Sequence, residues 1–152
     1  MSFNGDWIFN TDESEKPGAY SHMFVESAIA AWGENYDAKG MLAKPLPGHR
    51  VFFYRDNVGI IGMATFTDET PFSSNSIFEE QMKGEFHRRV INLKHLPDEK
   101  AIDWSSIVEL TGYYLPVHGV ALHKLHNSDA AEIIAERIES HLNTSTGEDG
   151  VR

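Results

Sequence analysis

Three Trp, five Tyr and nine Phe among 152 residues are more rings than one core of this size needs, so some must reach the surface or line a pocket. A pocket walled by rings and edged by a few amide or hydroxyl groups suits a flat nucleobase. The ring faces supply roughly 1–3 kcal/mol of stacking, and the polar groups read the base edge. Trp32, followed by Gly33, Asn35 and Tyr36, stands at the end of a helically spaced run and could wall such a pocket. The same indole could equally plug the core.

Other chemistries find little support. Eight His invite a metal, yet His118, His123 and His126 match no close ligand pattern, and in an extended segment His118 and His123 point to opposite faces. The serine elbow, the phosphate loop and the dinucleotide fingerprint all lack a match. Glu79 and Glu80, like Asp98 and Glu99, are adjacent in sequence and read as solvated rather than as an acid–base pair. With no cysteine, thiolate metal sites, iron–sulfur clusters and cysteine nucleophiles are excluded. The expectation is a non-enzyme without cofactor or metal.

A formal charge of -10 argues against a polybasic binder that grips nucleic acid by charge alone. The charge is uneven. Residues 1–35 carry one Lys against six acids and residues 97–152 four basic residues against ten acids, whereas residues 36–96 carry eight against seven. Any phosphate-facing surface should therefore come from the middle third, which holds Lys39, Lys44, Arg50, Arg55, Lys83, Arg88, Arg89 and Lys94. Ordinary solvated strand faces are the plainer alternative.

These side chains need a frame. Length and an apolar content of 41% give one domain over 1–142, with a small, polar, acidic stretch at 143–152 that reads as a tail or linker. Trp7–Asn10 reads as a first strand, Tyr20–Trp32 as one helix stopped by Gly33, and Val51–Tyr54 and Val58–Phe66 as a strand pair joined by a turn. A loop follows, with a short helical turn around Ile77–Met82. Then come a long strand over Glu85–Leu96, a helical turn near Ile102–Ile107, extended chain at Tyr113–His118 and a last strand over Val120–Leu125. A helix opens at Asn127-Ser128-Asp129, with Ser128 or Asp129 as cap. The pattern implies an α+β fold, a small curved or barrel-like mixed sheet with helices packed outside. No apolar run reaches membrane-span length and the start lacks a signal-peptide pattern, so a cytoplasmic setting without membrane contact is expected.

In this order the elements resemble the EVE domain of the PUA-like superfamily, which includes the YTH readers of methylated adenine. The closest match is Gly48-His49-Arg50-Val51-Phe52-Phe53-Tyr54 followed by Gly59-Ile60-Ile61-Gly62-Met63-Ala64, similar to the family's glycine-led aromatic hairpin. Asp6–Asp12, Trp32-Gly33 with Asn35-Tyr36, Phe86–Leu96 and Leu122–Leu125 resemble the remaining segments, so the likeness spans about residues 6–142. The resemblance implies that Trp32 is a wall of an aromatic cage, that Thr11 and Asp12 make edge contacts, and that Gly33 admits the backbone close to the base. Phe72, Phe78 and Tyr36 are candidates for the second wall, and Arg55, Arg88, Arg89 and Lys94 for holding the strand. The implied function is a non-catalytic reader of a flipped, modified base, in DNA first and RNA second. It would act as the specificity module of a modification-dependent restriction system with a fused or associated nuclease or NTPase. A PUA-like RNA-binding protein and a protein-interaction module are the alternatives.

Overall fold

Successive side chains of a strand point to opposite faces, and along Trp7–Phe9, Val51–Tyr54 and Ile60–Met63 both sets are buried. That is why these runs are continuously apolar rather than alternating. In the computed structural model, which describes residues 5–11, 19–31, 38–55, 58–74, 85–113 and 122–150, they form the middle of a seven-stranded mixed sheet. The strands are β1 (Asp6–Asn10), β2 (Ala28–Ala31), β3 (Arg50–Arg55), β4 (Gly59–Phe66), β5 (Phe72–Ser73), β6 (Phe86–His95) and β7 (Leu122–Lys124). Their order is β2-β6-β4-β3-β1-β7, with the short β5 also pairing with β6. β1 and β3 run parallel and the other pairs antiparallel. Register shifts at Phe53/Tyr54 and between Met63 and Thr65 add local twist, and the sheet curls into a half barrel.

The helices are α1 (Ala19–Glu26), α2 (Ala38–Ala43), α3 (Trp104–Thr111) and α4 (Ser128–Gly150). α3 is capped at both ends. The Asp103 carboxylate accepts from the Ser105 N–H at 3.1 Å, and Gly112 takes the left-handed conformation (φ 74°) that closes the last turn. Two cores result, one per sheet face. Trp7, Phe9, Val51, Phe53, Ile61 and Phe66 meet Met23 of α1 and Met41 and Leu42 of α2. Ile8, Phe52, Tyr54, Ile60 and Met63 meet Ile107 of α3 and Ala131, Ile134 and Ile138 of α4.

Three sequence expectations change. The helix read over Tyr20–Trp32 ends at Glu26: Ser27 turns to positive φ (55°) and Ala28–Ala31 become a strand zipped onto Phe86–Arg89. All four residues of β2 are buried, so burial against β6 overrides the helix preference of alanine. At α4 the cap is Asn127, whose side-chain oxygen accepts from the Ala130 N–H at 2.9 Å, rather than Ser128 or Asp129. The same helix continues through Gly150, so most of the stretch read as a tail is helical backbone. The expected turn at Ile77–Met82 lies outside the described residues, as does the extended chain beyond Tyr113.

Candidate nucleic-acid interface

β6 is the element around which the candidate residues gather. On one edge it carries β2, with Ala30 opposite His87 and Ala31 opposite Phe86. On the other it carries β5, with Phe72 opposite His87 and Ser73 opposite Phe86. Phe72 therefore sits two strand spacings, about 10 Å, across the sheet from the end of β2. Trp32 follows Ala31 directly in sequence. Trp32, Gly33, Tyr36, Asp12 and Phe78 themselves lie outside the described residues.

The ring of Phe72 lies against that of His87 (centroids 5.4 Å apart) and under the guanidinium of Arg89, whose Cζ is 5.0 Å from the ring centre. His87 is fully buried and held at both nitrogens: Glu26 Oε1 is 3.1 Å from Nδ1, and Glu85 meets Nε2. Arg89, with its side chain 46% exposed, pairs with Glu69 at 3.4 Å and donates to the Glu26 carbonyl at 3.4 Å. The Glu26–His87–Glu85 cluster had no signal in the sequence, because its members come from α1 and from the approach to β6.

The basic residues assigned to phosphates do not form one surface. Arg88, 3% exposed, is a core residue and not a phosphate ligand. Its Nη1 donates to the carbonyls of Leu42 (2.8 Å) and Pro45 (2.9 Å), its Nη2 to that of Thr67 (2.8 Å), and its Cζ lies 5.0 Å from the centre of the Phe66 ring. Burial pushes its pKa down from the usual guanidinium value. Alternation along β6 explains the error: Phe86, Arg88 and Val90 share a parity, and Phe86 and Val90 pack into the α1–α2 core. Lys94 is bound to Glu139 of α4, roughly 17 Å along β6 from Arg89. Arg55 closes β3, half buried. Thr11, expected to touch a base edge, is fully buried, and both its N–H (3.1 Å) and its hydroxyl (3.2 Å) donate to the Tyr54 carbonyl. It ties the end of β1 to β3 instead.

The chain aligns with the YTH domain-containing protein mmi1 in its RNA complex at 16% identity and a TM-score of 0.56, over 95% of this chain and 87% of that one. The YTH fold is present here. The YTH domain of Zygosaccharomyces rouxii MRB1, bound to N6-methyladenosine RNA, matches at 10% identity and a TM-score of 0.55, over 89% and 86% of the two chains. Protein PSPTO5229 from Pseudomonas syringae matches at 14% identity and 0.53, over 87% and 99%. No family model and no curated protein matches the sequence. In this YTH-like frame the described residues include no cluster of His, Asp and Glu able to hold a metal, and no helix long and apolar enough to cross a membrane. Two concavities lie against α4, one of about 610 Å³ over Met63 and one of about 430 Å³ beside Leu110. Both are rimmed by Glu132 and Glu136, an electrostatic setting that disfavours phosphates.

Proposed function

We propose that the chain is a non-catalytic reader of a modified, methylated base, which it takes flipped into an aromatic pocket with Trp32 as one wall. The observation that carries this reading is the fold shared, over most of the chain, with YTH domains solved in complex with RNA. The aromatic surplus of the sequence and the position of Trp32 directly after β2 support it. Gly33, Asp12, Tyr36 and Phe78 keep the base-contact roles that the resemblance implies. Arg55 remains a candidate for holding the strand.

A methyl group adds almost no hydrogen bonding, so selectivity comes from burying it against rings, about 1 kcal/mol or fivefold in affinity. A duplex would charge a few kcal/mol more for extruding the base. RNA is the first polymer to test, because the similar structures hold it. The DNA reading, with an associated nuclease or NTPase, is tested by the same panel in deoxy form. Titration of labelled single strands carrying adenine or N6-methyladenine should give severalfold tighter binding of the methylated strand, and Trp32→Ala should erase that preference. Equal affinities, or a preference that survives Trp32→Ala, would overturn the reading.

A further inference from the structure

The Arg89 guanidinium is a flat cation held on several sides. Its Cζ stands 5.0 Å over the centre of the Phe72 ring, Glu69 meets Nε at 3.4 Å, and the Glu26 carbonyl takes Nη1 at 3.4 Å. Beneath it, Phe72 rests on His87, which two carboxylates fix in place. An exposed arginine ordinarily sweeps out many rotamers. This one has a ring, a carboxylate and a carbonyl as neighbours, and its side chain is still 46% exposed. Its edge is partly spent on Glu69 and Glu26, which suits a phosphate poorly because a carboxylate already stands beside it. A planar partner needs only the face.

We propose that Arg89, backed by Phe72, is a stacking shelf for the nucleobase next to the one read in the pocket, so that the ligand is a single strand rather than an intact duplex. This rests on the reading above for the pocket itself and replaces the phosphate role given to Arg89 by the sequence. Guanidinium planes stack on unpaired bases, whereas a base inside a duplex has both faces covered by its neighbours. Arg89 stands opposite Ala28 and Phe72 opposite His87, which itself faces Ala30, so both flank β2, the strand that runs on in sequence into Trp32.

The test uses Arg89→Lys, which keeps the charge and removes the plane. Labelled nine-nucleotide single strands, methylated or plain, carry at the neighbouring position either adenine or an abasic site. Wild type should lose roughly tenfold in affinity when the neighbour is abasic, the lower range of one base stack. Arg89→Lys should lose as much on the adenine strand and nothing further on the abasic one. Both losses should be the same on methylated and plain strands, since the shelf does not see the methyl group. Phe72→Leu, removing the backing ring, should act in the same direction. Full affinity of Arg89→Lys for the adenine strand, or an undiminished Lys effect on the abasic strand, overturns the shelf while leaving the pocket reading intact. Loss of methyl preference in the wild type with the Arg89→Lys effect preserved overturns the pocket and keeps the shelf. Failure of every strand to bind overturns both.

Discussion

Replacing Arg88 by Met keeps the apolar stem and deletes three charge-assisted hydrogen bonds of 2.8 to 2.9 Å to the carbonyls of Leu42, Pro45 and Thr67. Each such bond is worth about 1.5–3 kcal/mol. Against them stands the cost, several kcal/mol, of taking a guanidinium out of water, since Arg88 is only 3% exposed. The variant escapes that cost but leaves carbonyls buried without donors, at about 1–3 kcal/mol each. The balance is a loss of ~3–5 kcal/mol for Arg88→Met, and about half that for Arg88→Lys, whose single ammonium cannot span all three acceptors. Urea unfolding of the wild type and both variants, read by circular dichroism, measures this directly. A second assay separates the core role from the surface role read in the sequence. A phosphate ligand lost from a strand-binding site lowers the slope of log affinity against log salt by about 0.7. Arg88→Met should leave that slope unchanged at temperatures where it stays folded. A stability change under 1 kcal/mol together with a flattened salt slope would refute the reasoning and return Arg88 to the surface.

Two further outcomes concern His49, which accepts from the Trp7 indole N–H at 3.1 Å and the Leu46 N–H at 3.2 Å. Burial, and then the nearby Lys124, hold its pKa below the usual histidine value, with Asp6 opposing. The unfolded chain therefore binds the proton more readily, and the stability His49 contributes is complete above about pH 6.5 and drains away as the pH falls further, by at most about 1.4 kcal/mol per pH unit. Thermal melts between pH 7.5 and 5.5 should show a steeper decline for wild type than for His49→Gln. Parallel declines would contradict the assignment. Gly5→Ala would set a Cβ against the His49 ring, closer than real Cβ atoms approach their neighbours, so either the ring or β1 must move. A loss of about 2 kcal/mol in urea unfolding is expected, and a neutral substitution would mean the contact relaxes freely.

Much of the frame was legible in the sequence because its central strands are rich in β-branched and aromatic residues: β1, β3, β4 and β6 fall within a residue or two of their expected places. β2 was not, because three alanines around a single isoleucine carry little β signature of their own and become a strand only through the edge that β6 offers them. α2 was hidden for a related reason: AKGMLA is too short and too mixed to show a helical period. The candidate site divides in the same way. Trp32 was singled out by residue type, and Phe72 by its segment. What Phe72 touches depends on the β5–β6 pairing, which brings together residues fifteen positions apart. Arg88 and Arg89 are indistinguishable by composition; the parity of β6 puts them on opposite faces, Arg88 with Phe86 and Val90 in the α1–α2 core and Arg89 on the face of His87, exposed where His87 is buried.

Phe52 and Phe53 are neighbours on β3, yet each enters a different apolar body. Neither side of the sheet can be prised away without uncovering the strands that also roof the other, so among the described residues there is no seam along which one half could melt first. Heat should then dissolve both bodies in one cooperative transition. The amide protons of β3 and β4 should be the last to exchange with solvent, through whole-molecule opening rather than local breathing.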